Sequence, residues 1–188
     1  MAGIPQARGH LTGSTDATAP LIVAALLPKD MAAWATGLRA RYFPPERNYL
    51  DAHVTLFHAI PPSCAAELGT ILKTIAAETA PVPGSLDGLM RLGRGTALKL
   101  SSPAMLSIRN RIARRFEGAL SAQDQHKPRL HVTLQNKVSS TEAKAVQAEL
   151  ADRIEPREFA FRGLAAFWYR GGPWELVREY PFRGHASA

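Results

Sequence analysis

The strongest constraint on the fold is a phrase of four residues that occurs twice, as His53–Leu56 and as His131–Leu134. Both copies read His-Val-Thr-Leu, and they start 78 residues apart in a chain of 188. In a β-strand, alternate side chains point to opposite faces, so the histidine and threonine share one face and the aliphatic residues share the other. Each copy is therefore predicted to be a strand that buries its aliphatic pair and presents an imidazole and a hydroxyl to a common cleft.

The hydrophobic pattern and the turn residues organise the rest of the chain into alternating strands and helices. The predicted order is β-α-β-α-β-β-α-β-α-β-β, which ends in one strand at Phe159–Tyr169 and another at Trp174–Tyr180. Each motif strand follows a helix and precedes another helix and a strand pair. This order predicts an α+β fold built from a duplicated unit.

Length and local composition set the predicted domain boundaries. We expect a single bilobal domain over residues 20–182, because 46% of the chain is hydrophobic and such a chain can bury a sizeable core. The first segment, residues 1–19, is rich in Gly, Ala, Thr and Ser and is predicted to be a flexible N-terminal tail. Residues 183–188 are predicted to form a C-terminal tail.

Charge and cysteine content narrow the environment and the partners. The chain has 23 Lys and Arg against 16 Asp and Glu, a net charge of +7, which favours polyanionic partners such as nucleic acids. Cys64 is the single cysteine, so no internal disulfide can form, and this suits a reducing cytoplasm. No apolar run approaches the roughly 20 residues that span a bilayer, and residues 1–19 lack the apolar core of a secretory signal. We therefore expect a cytoplasmic protein without a membrane segment.

Two histidines and two hydroxyls in one cleft suit acid/base chemistry on a phosphodiester. Imidazole titrates near neutral pH, so one ring can take a proton from water while the other gives one to the departing alkoxide. Threonine hydroxyls can donate to the phosphate oxygens on which charge develops. Two histidines without carboxylates or cysteines at ligand spacing are too few to bind zinc well. Asp51 shares the face of His53, however, so it is a possible third ligand. No metal and no cofactor are predicted.

These motifs resemble the signature of the 2H phosphoesterases, two copies of H-x-[ST]-hydrophobic at about this separation. The family includes the bacterial 2′-5′ RNA ligase-like proteins and cyclic nucleotide phosphodiesterases. The resemblance implies a bilobal fold with two antiparallel-rich sheets, flanking helices and a central cleft. It also implies metal-independent action on 2′,3′-cyclic phosphates, 2′-5′ linkages or related cyclic phosphodiesters. His53 and His131 would then be catalytic, and Thr55 and Thr133 would bind phosphate. The resemblance assigns His131 as base and His53 as acid, which the identical motifs by themselves leave open.

Strand alternation adds further candidates for substrate binding. Arg129 and Lys137 fall on the face of His131 and could hold phosphate charge. Phe57 falls on the face of His53 and could line the cleft or stack on a base. The same alternation places His58 on the opposite face, and Arg109 is interpreted as part of a solvated helix face.

Three functions remain open at this point. The leading one is a monomeric phosphodiesterase that opens 2′,3′-cyclic phosphates on RNA ends or small nucleotides. The second is an RNA-binding module of the same fold without useful turnover, which would not need both imidazoles. The third is a hydrolase of a non-RNA cyclic phosphodiester. The C-terminal hairpin adds aromatic and arginine side chains that suit stacking on nucleobases: Trp168, Tyr169, Trp174 and Tyr180, beside Arg170 and Arg178.

Overall fold

The computed structural model describes residues 18–185 and contains two antiparallel β-sheets with helices packed on them. This confirms the predicted α+β class. The predicted N-terminal tail, apart from residues 18 and 19, and the last three residues lie outside the described part. The strands are β1 Leu21–Leu26, β2 Val54–Ile60, β3 Val82–Arg91, β4 Thr96–Ser101, β5 His131–Gln135, β6 Arg157–Phe161, β7 Gly163–Tyr169 and β8 Trp174–Pro181. The helices are α1 Lys29–Tyr42, α2 Ala65–Glu78, α3 Pro103–Arg115, α4 Ala122–Gln125 and α5 Ser140–Leu150.

Each sheet has four strands, and the two strand orders correspond. The first is ordered β2-β1-β7-β8 and the second β5-β4-β3-β6. We call the first sheet with α2 lobe 1, and the second sheet with α3 and α5 lobe 2. The motif strands β2 and β5 occupy equivalent edges of their sheets and lie against each other. The repeated phrase therefore meets itself at the junction of the lobes.

Helical periodicity determines which side of each helix is buried. In α2 the buried residues Leu68, Leu72, Ile75 and Ala76 recur at intervals of three and four, and this stripe packs on β7 and β8. Helix α1 follows β1 in sequence but packs on β5 of the other lobe. No helix in residues 18–185 has the length and apolarity needed to cross a membrane.

The prediction of one strand over Phe159–Tyr169 was wrong, because the chain changes sheet at Arg162. Residues before it form β6 of lobe 2, and residues after it form β7 of lobe 1. The backbone N–H of Arg162 donates to the carbonyl of Leu26 at 2.8 Å. A Cβ at Gly163 would lie 2.5 Å from the carbonyl oxygen of Tyr180, so this close approach of two backbones requires glycine.

Beyond β8 the chain stays attached to α2. The backbone N–H groups of Arg183 and Gly184 donate to the carbonyls of Ala76 and Thr79, each at 2.9 Å. The predicted C-terminal tail is thus held by backbone hydrogen bonds as far as Gly184.

Candidate active site

The two motifs place four side chains on facing edges of the lobes. His53 directly precedes β2 and His131 begins β5. The two histidines and the threonines two residues later are all half-buried. The aliphatic partners face the core and are fully buried: Val54, Leu56, Val132 and Leu134.

Both imidazoles are held by the same backbone contact. Nδ1 of His53 donates to the carbonyl oxygen of Asp51 at 2.8 Å, and Nδ1 of His131 donates to that of Arg129 at 2.6 Å. A carbonyl can only accept, so each neutral ring carries its proton on Nδ1. In both histidines Nε2 is therefore the nitrogen left to exchange protons with a substrate.

The surroundings favour the neutral form of both rings. Burial, with the Trp174 ring centroid 4.4 Å from that of the imidazole, lowers the pKa of His53 to about 4, and the charge of Arg39 adds to this. Burial also lowers the pKa of His131, helped by the charges of His58 and Arg129. In the free protein at neutral pH, both rings are available as bases.

The prediction that Phe57 lines the cleft was wrong, because the motif strand bulges after its threonine. Thr55 pairs with Ala24, yet Phe57 pairs with Val23, so two residues of β2 advance against one of β1. The bulge turns Phe57 into the core, where it is 0% exposed. The second motif bulges at the same point.

The equivalent bulge in β5 changes which of its residues share a face. Thr133 pairs with Ala97, and Gln135 pairs with Thr96, so Gln135 is buried like Phe57. Strand β5 ends at Gln135, and Lys137 follows in a turn with φ of 54°. The alternation of side chains along a strand therefore does not determine where the Lys137 side chain points. Lys137 is exposed, and its phosphate-binding role stays a prediction.

Arg109 is buried rather than part of a solvated face. It lies four residues after Met105 and three before Ile112, on the buried stripe of α3, and is 4% exposed. Its guanidinium lies 4.6 Å from the Phe57 ring and donates to the carbonyl oxygens of Asp124 and His126. Helical spacing from Met105 could have revealed this position.

Arg39 in α1 is a second buried arginine whose guanidinium donates to backbone carbonyls, and the sequence analysis did not identify it. It follows Met31 and Ala35 on the buried stripe of α1. Its guanidinium donates to the carbonyl oxygens of Thr133 at 2.5 Å and Leu50 at 3.1 Å, and to the Asn48 side chain at 3.0 Å. Arg39 thereby joins the segment before the first motif to the strand that carries the second.

The side of the site next to His131 is charged. Lys99 pairs with His131 across β4 and β5, and its side chain is 54% exposed. Its ammonium lies 3.7 Å from Asp87. A groove of about 440 Å³ runs past Lys99 and Arg129, and the rest of its lining is mostly apolar. The phosphate-binding role of Arg129 stays a prediction, and the sequence analysis did not single out Lys99, a lone cation in an apolar strand.

The side next to His53 is aromatic and also carries charged residues. A groove of about 430 Å³ there is lined by the rings of Tyr49, Phe167 and Trp174, and by the charged side chains of Asp51, Arg162 and Glu179. Of the predicted C-terminal aromatics, Trp174 contacts the His53 ring, whereas Tyr180 is buried in the core. Two aromatic rings of the hairpin, those of Phe167 and Trp174, therefore line the groove beside His53.

The donor set of the site contains imidazoles and hydroxyls. Within residues 18–185, no group of three or more His, Cys, Asp or Glu side chains has a placement that could hold a metal ion. Asp51, the residue that left a third ligand open, contacts His53 through its backbone carbonyl.

Comparisons with known proteins identify the family and agree with the fold. Residues 27–173 match the model of the 2′-5′ RNA ligase superfamily. The crystal structure of TT0787 from Thermus thermophilus is 17% identical, covers 89% of this chain and 100% of its own, and gives a TM-score of 0.60. Escherichia coli LigT in complex with 3′-AMP is 16% identical, with coverage of 88% and 98% and a TM-score of 0.59. A third crystal structure, of a phosphoesterase, is 18% identical at the same coverage and TM-score. No curated protein matches the sequence significantly.

Proposed function

The chain belongs to the 2′-5′ RNA ligase superfamily, and we propose that it is a metal-independent phosphodiesterase that opens 2′,3′-cyclic phosphates on RNA ends or nucleotides. The observation that carries the proposal is the matched pair of histidines, each with Nδ1 on a backbone carbonyl and Nε2 free. Both histidines come from one chain, so a monomer contains the complete acid/base pair. With its single cysteine, the protein suits a reducing cytoplasm.

The reaction needs one proton taken and one proton given. Nε2 of the base removes a proton from water, and the resulting hydroxide oxygen attacks phosphorus. The bond from phosphorus to one ribose oxygen breaks, and the acid protonates that oxygen to leave a hydroxyl beside a phosphomonoester. The hydroxyls of Thr55 and Thr133 donate to the nonbridging oxygens, where negative charge accumulates.

The aromatic rings beside His53 support His53 as the acid and His131 as the base. An aromatic groove suits a nucleobase, which places the ribose and its departing oxygen on the side of His53. Attack in line with the leaving oxygen then brings water from the side of His131. Burial keeps His53 neutral in the free protein, and the negative charge of a bound phosphodiester favours the protonated ring that an acid requires.

The bound ligand of a structural neighbour is consistent with this substrate class. Escherichia coli LigT was crystallised with 3′-AMP. Opening of adenosine 2′,3′-cyclic phosphate yields a 2′- or a 3′-monophosphate, so 3′-AMP has the form of a product. We carry this relation to the present chain as part of the proposal.

The test is product analysis in the presence of a chelator. Purified protein is incubated in EDTA with 2′,3′-cyclic nucleotides, with RNA ending in a cyclic phosphate, and with a cyclic phosphodiester that contains no RNA. We expect monoesters from the first two substrates and undiminished rates in EDTA. Turnover that EDTA abolishes and zinc or manganese restores would contradict the mechanism, and binding of RNA without any product would favour the RNA-binding module.

A further inference from the structure

A third histidine, His58, lies on the cleft face of β2. Phe57 faces the core, so His58, the next residue of the strand, points to the other face, which is that of Thr55. Its side chain is 44% exposed. A charge on the His58 ring acts on both motif histidines, in the direction that lowers the pKa of His53 and of His131. Alternation without the bulge had placed His58 on the wrong face.

A buried carboxylate fixes the His58 ring. The side chain of Asp124 is 2% exposed. Its carboxylate oxygens accept hydrogen bonds from Nδ1 of His58 at 3.1 Å and from the backbone N–H of His58 at 2.9 and 3.0 Å. Asp124 also accepts the N–H of Ala59 at 2.9 Å and the hydroxyl of Ser121 at 3.1 Å. Burial raises the pKa of Asp124, but the hydrogen bonds from His58 and Ala59 outweigh this and keep it ionised. Nδ1 of His58 is thus occupied and its Nε2 is free.

We propose that His58 is a third substrate-binding residue, whose Nε2 donates to a nonbridging oxygen of the substrate phosphate beside Thr55. Donation from both ring nitrogens, one to Asp124 and one to the phosphate, requires the doubly protonated imidazole, which then makes a charge-assisted hydrogen bond on each side. The proposal rests on the proposed function, because it requires that the phosphate bind at the motif threonines.

This binding residue breaks the symmetry of the two lobes. Counted from the bulges, the position in the second motif that corresponds to His58 is Asn136, an uncharged residue whose side chain accepts the N–H of Lys137 at 2.8 Å. Lobe 1 would therefore offer the phosphate two imidazoles, whereas lobe 2 offers one.

Steady-state kinetics test the proposal on variants of the full chain. His58→Ala should raise KM for a 2′,3′-cyclic nucleotide about tenfold to a hundredfold, the range for one hydrogen bond to a charged group, and should change kcat less. Asp124→Asn should act in the same direction, because it removes the charge that orients the ring. His126→Ala, an exposed histidine in the neighbouring loop, is the matched control and should leave KM unchanged. A folded His58→Ala variant with unchanged KM would overturn the proposal.

A measurement on the wild type keeps the proposal testable if the variant fails to fold. The ring nitrogens of each histidine are followed by NMR as inorganic phosphate is added. We expect the rings of His53, His131 and His58 to respond and that of His126 to stay unchanged. If only His53 and His131 respond, the role of His58 is refuted and the proposed function stands. If none of the three responds, the proposed phosphate site itself is wrong and the role of His58 fails with it.

Discussion

The two lobes hold their motif histidines in the same way but surround them differently. Both rings donate Nδ1 to the carbonyl two residues earlier, and both strands bulge after the threonine. Around His53 lie Trp174 and an aromatic groove, whereas around His131 lie Lys99 and Arg129. Equivalent backbone geometry therefore presents two similar imidazoles, and we propose that the side chains around them determine which one acts as the acid and which as the base.

The largest expected effect comes from removing either histidine. His53→Ala and His131→Ala should each lower kcat by roughly two to four decades, the range for a lost general acid or base. Stability should change little, because both rings are half-buried and their motif neighbours keep the core. Turnover of a 2′,3′-cyclic nucleotide, with His126→Ala as the control, measures the loss. A variant that keeps nearly full activity would remove that histidine from the mechanism.

The threonines should matter less than the histidines and about equally in the two lobes. Thr55→Ala and Thr133→Ala each remove one donor to a charged oxygen, so kcat should fall on the order of tenfold to a thousandfold. Thr→Ser at each position keeps the hydroxyl and should retain most of the activity. Equal losses for Ala and Ser would show that the methyl group, not the hydroxyl, is what the site needs.

Replacing each of the two buried arginines, Arg39 and Arg109, compares how much their hydrogen bonds contribute to the free energy of unfolding. Arg39→Met leaves the carbonyl of Thr133 without its side-chain donor, and Arg109→Met does the same to the carbonyls of Asp124 and His126. Each variant should lose about 1–3 kcal/mol of unfolding free energy, the cost of unsatisfied buried acceptors. Urea unfolding measures this. Arg39→Met should also lower kcat, because Arg39 holds the strand that carries His131 and Thr133, and full activity in this variant would show that the contact does not position the site.

The smallest effect concerns the pH dependence of stability. The folded state lowers the pKa of His53 from 6.5 to about 4, so its contribution is fully present above pH 6.5 and is lost as the pH falls towards 4. The difference should amount to about 1 kcal/mol, less than the full shift implies because the ring keeps some contact with solvent. Urea unfolding between pH 7 and 4 should show a shallower decline in His53→Asn than in the wild type. Parallel curves would mean that burial of His53 does not perturb its titration.

Sequence periodicity predicted the fold class and both motif strands, because long apolar stripes and a repeated phrase are local signals. Periodicity gave the wrong face where a β-bulge interrupts the strict alternation of side chains along a strand. One extra residue in β2 turned Phe57 inward and His58 outward, and no side chain in the sequence marks that bulge. Arg39 and Arg109 were readable in principle, since each continues a buried helical stripe. Their partners lie in distant parts of the chain, which periodicity does not pair.

The central claim is that His53 acts as the acid and His131 as the base. The most direct test measures turnover of a substrate in which a better leaving group replaces the ribose oxygen. A phosphodiester with a very good leaving group no longer needs a general acid but still needs the base. On such a substrate, His53→Ala should recover much of the wild-type rate, and His131→Ala should not. Rescue of His131→Ala alone would reverse the assignment, and rescue of neither variant would contradict an acid/base division between the two histidines.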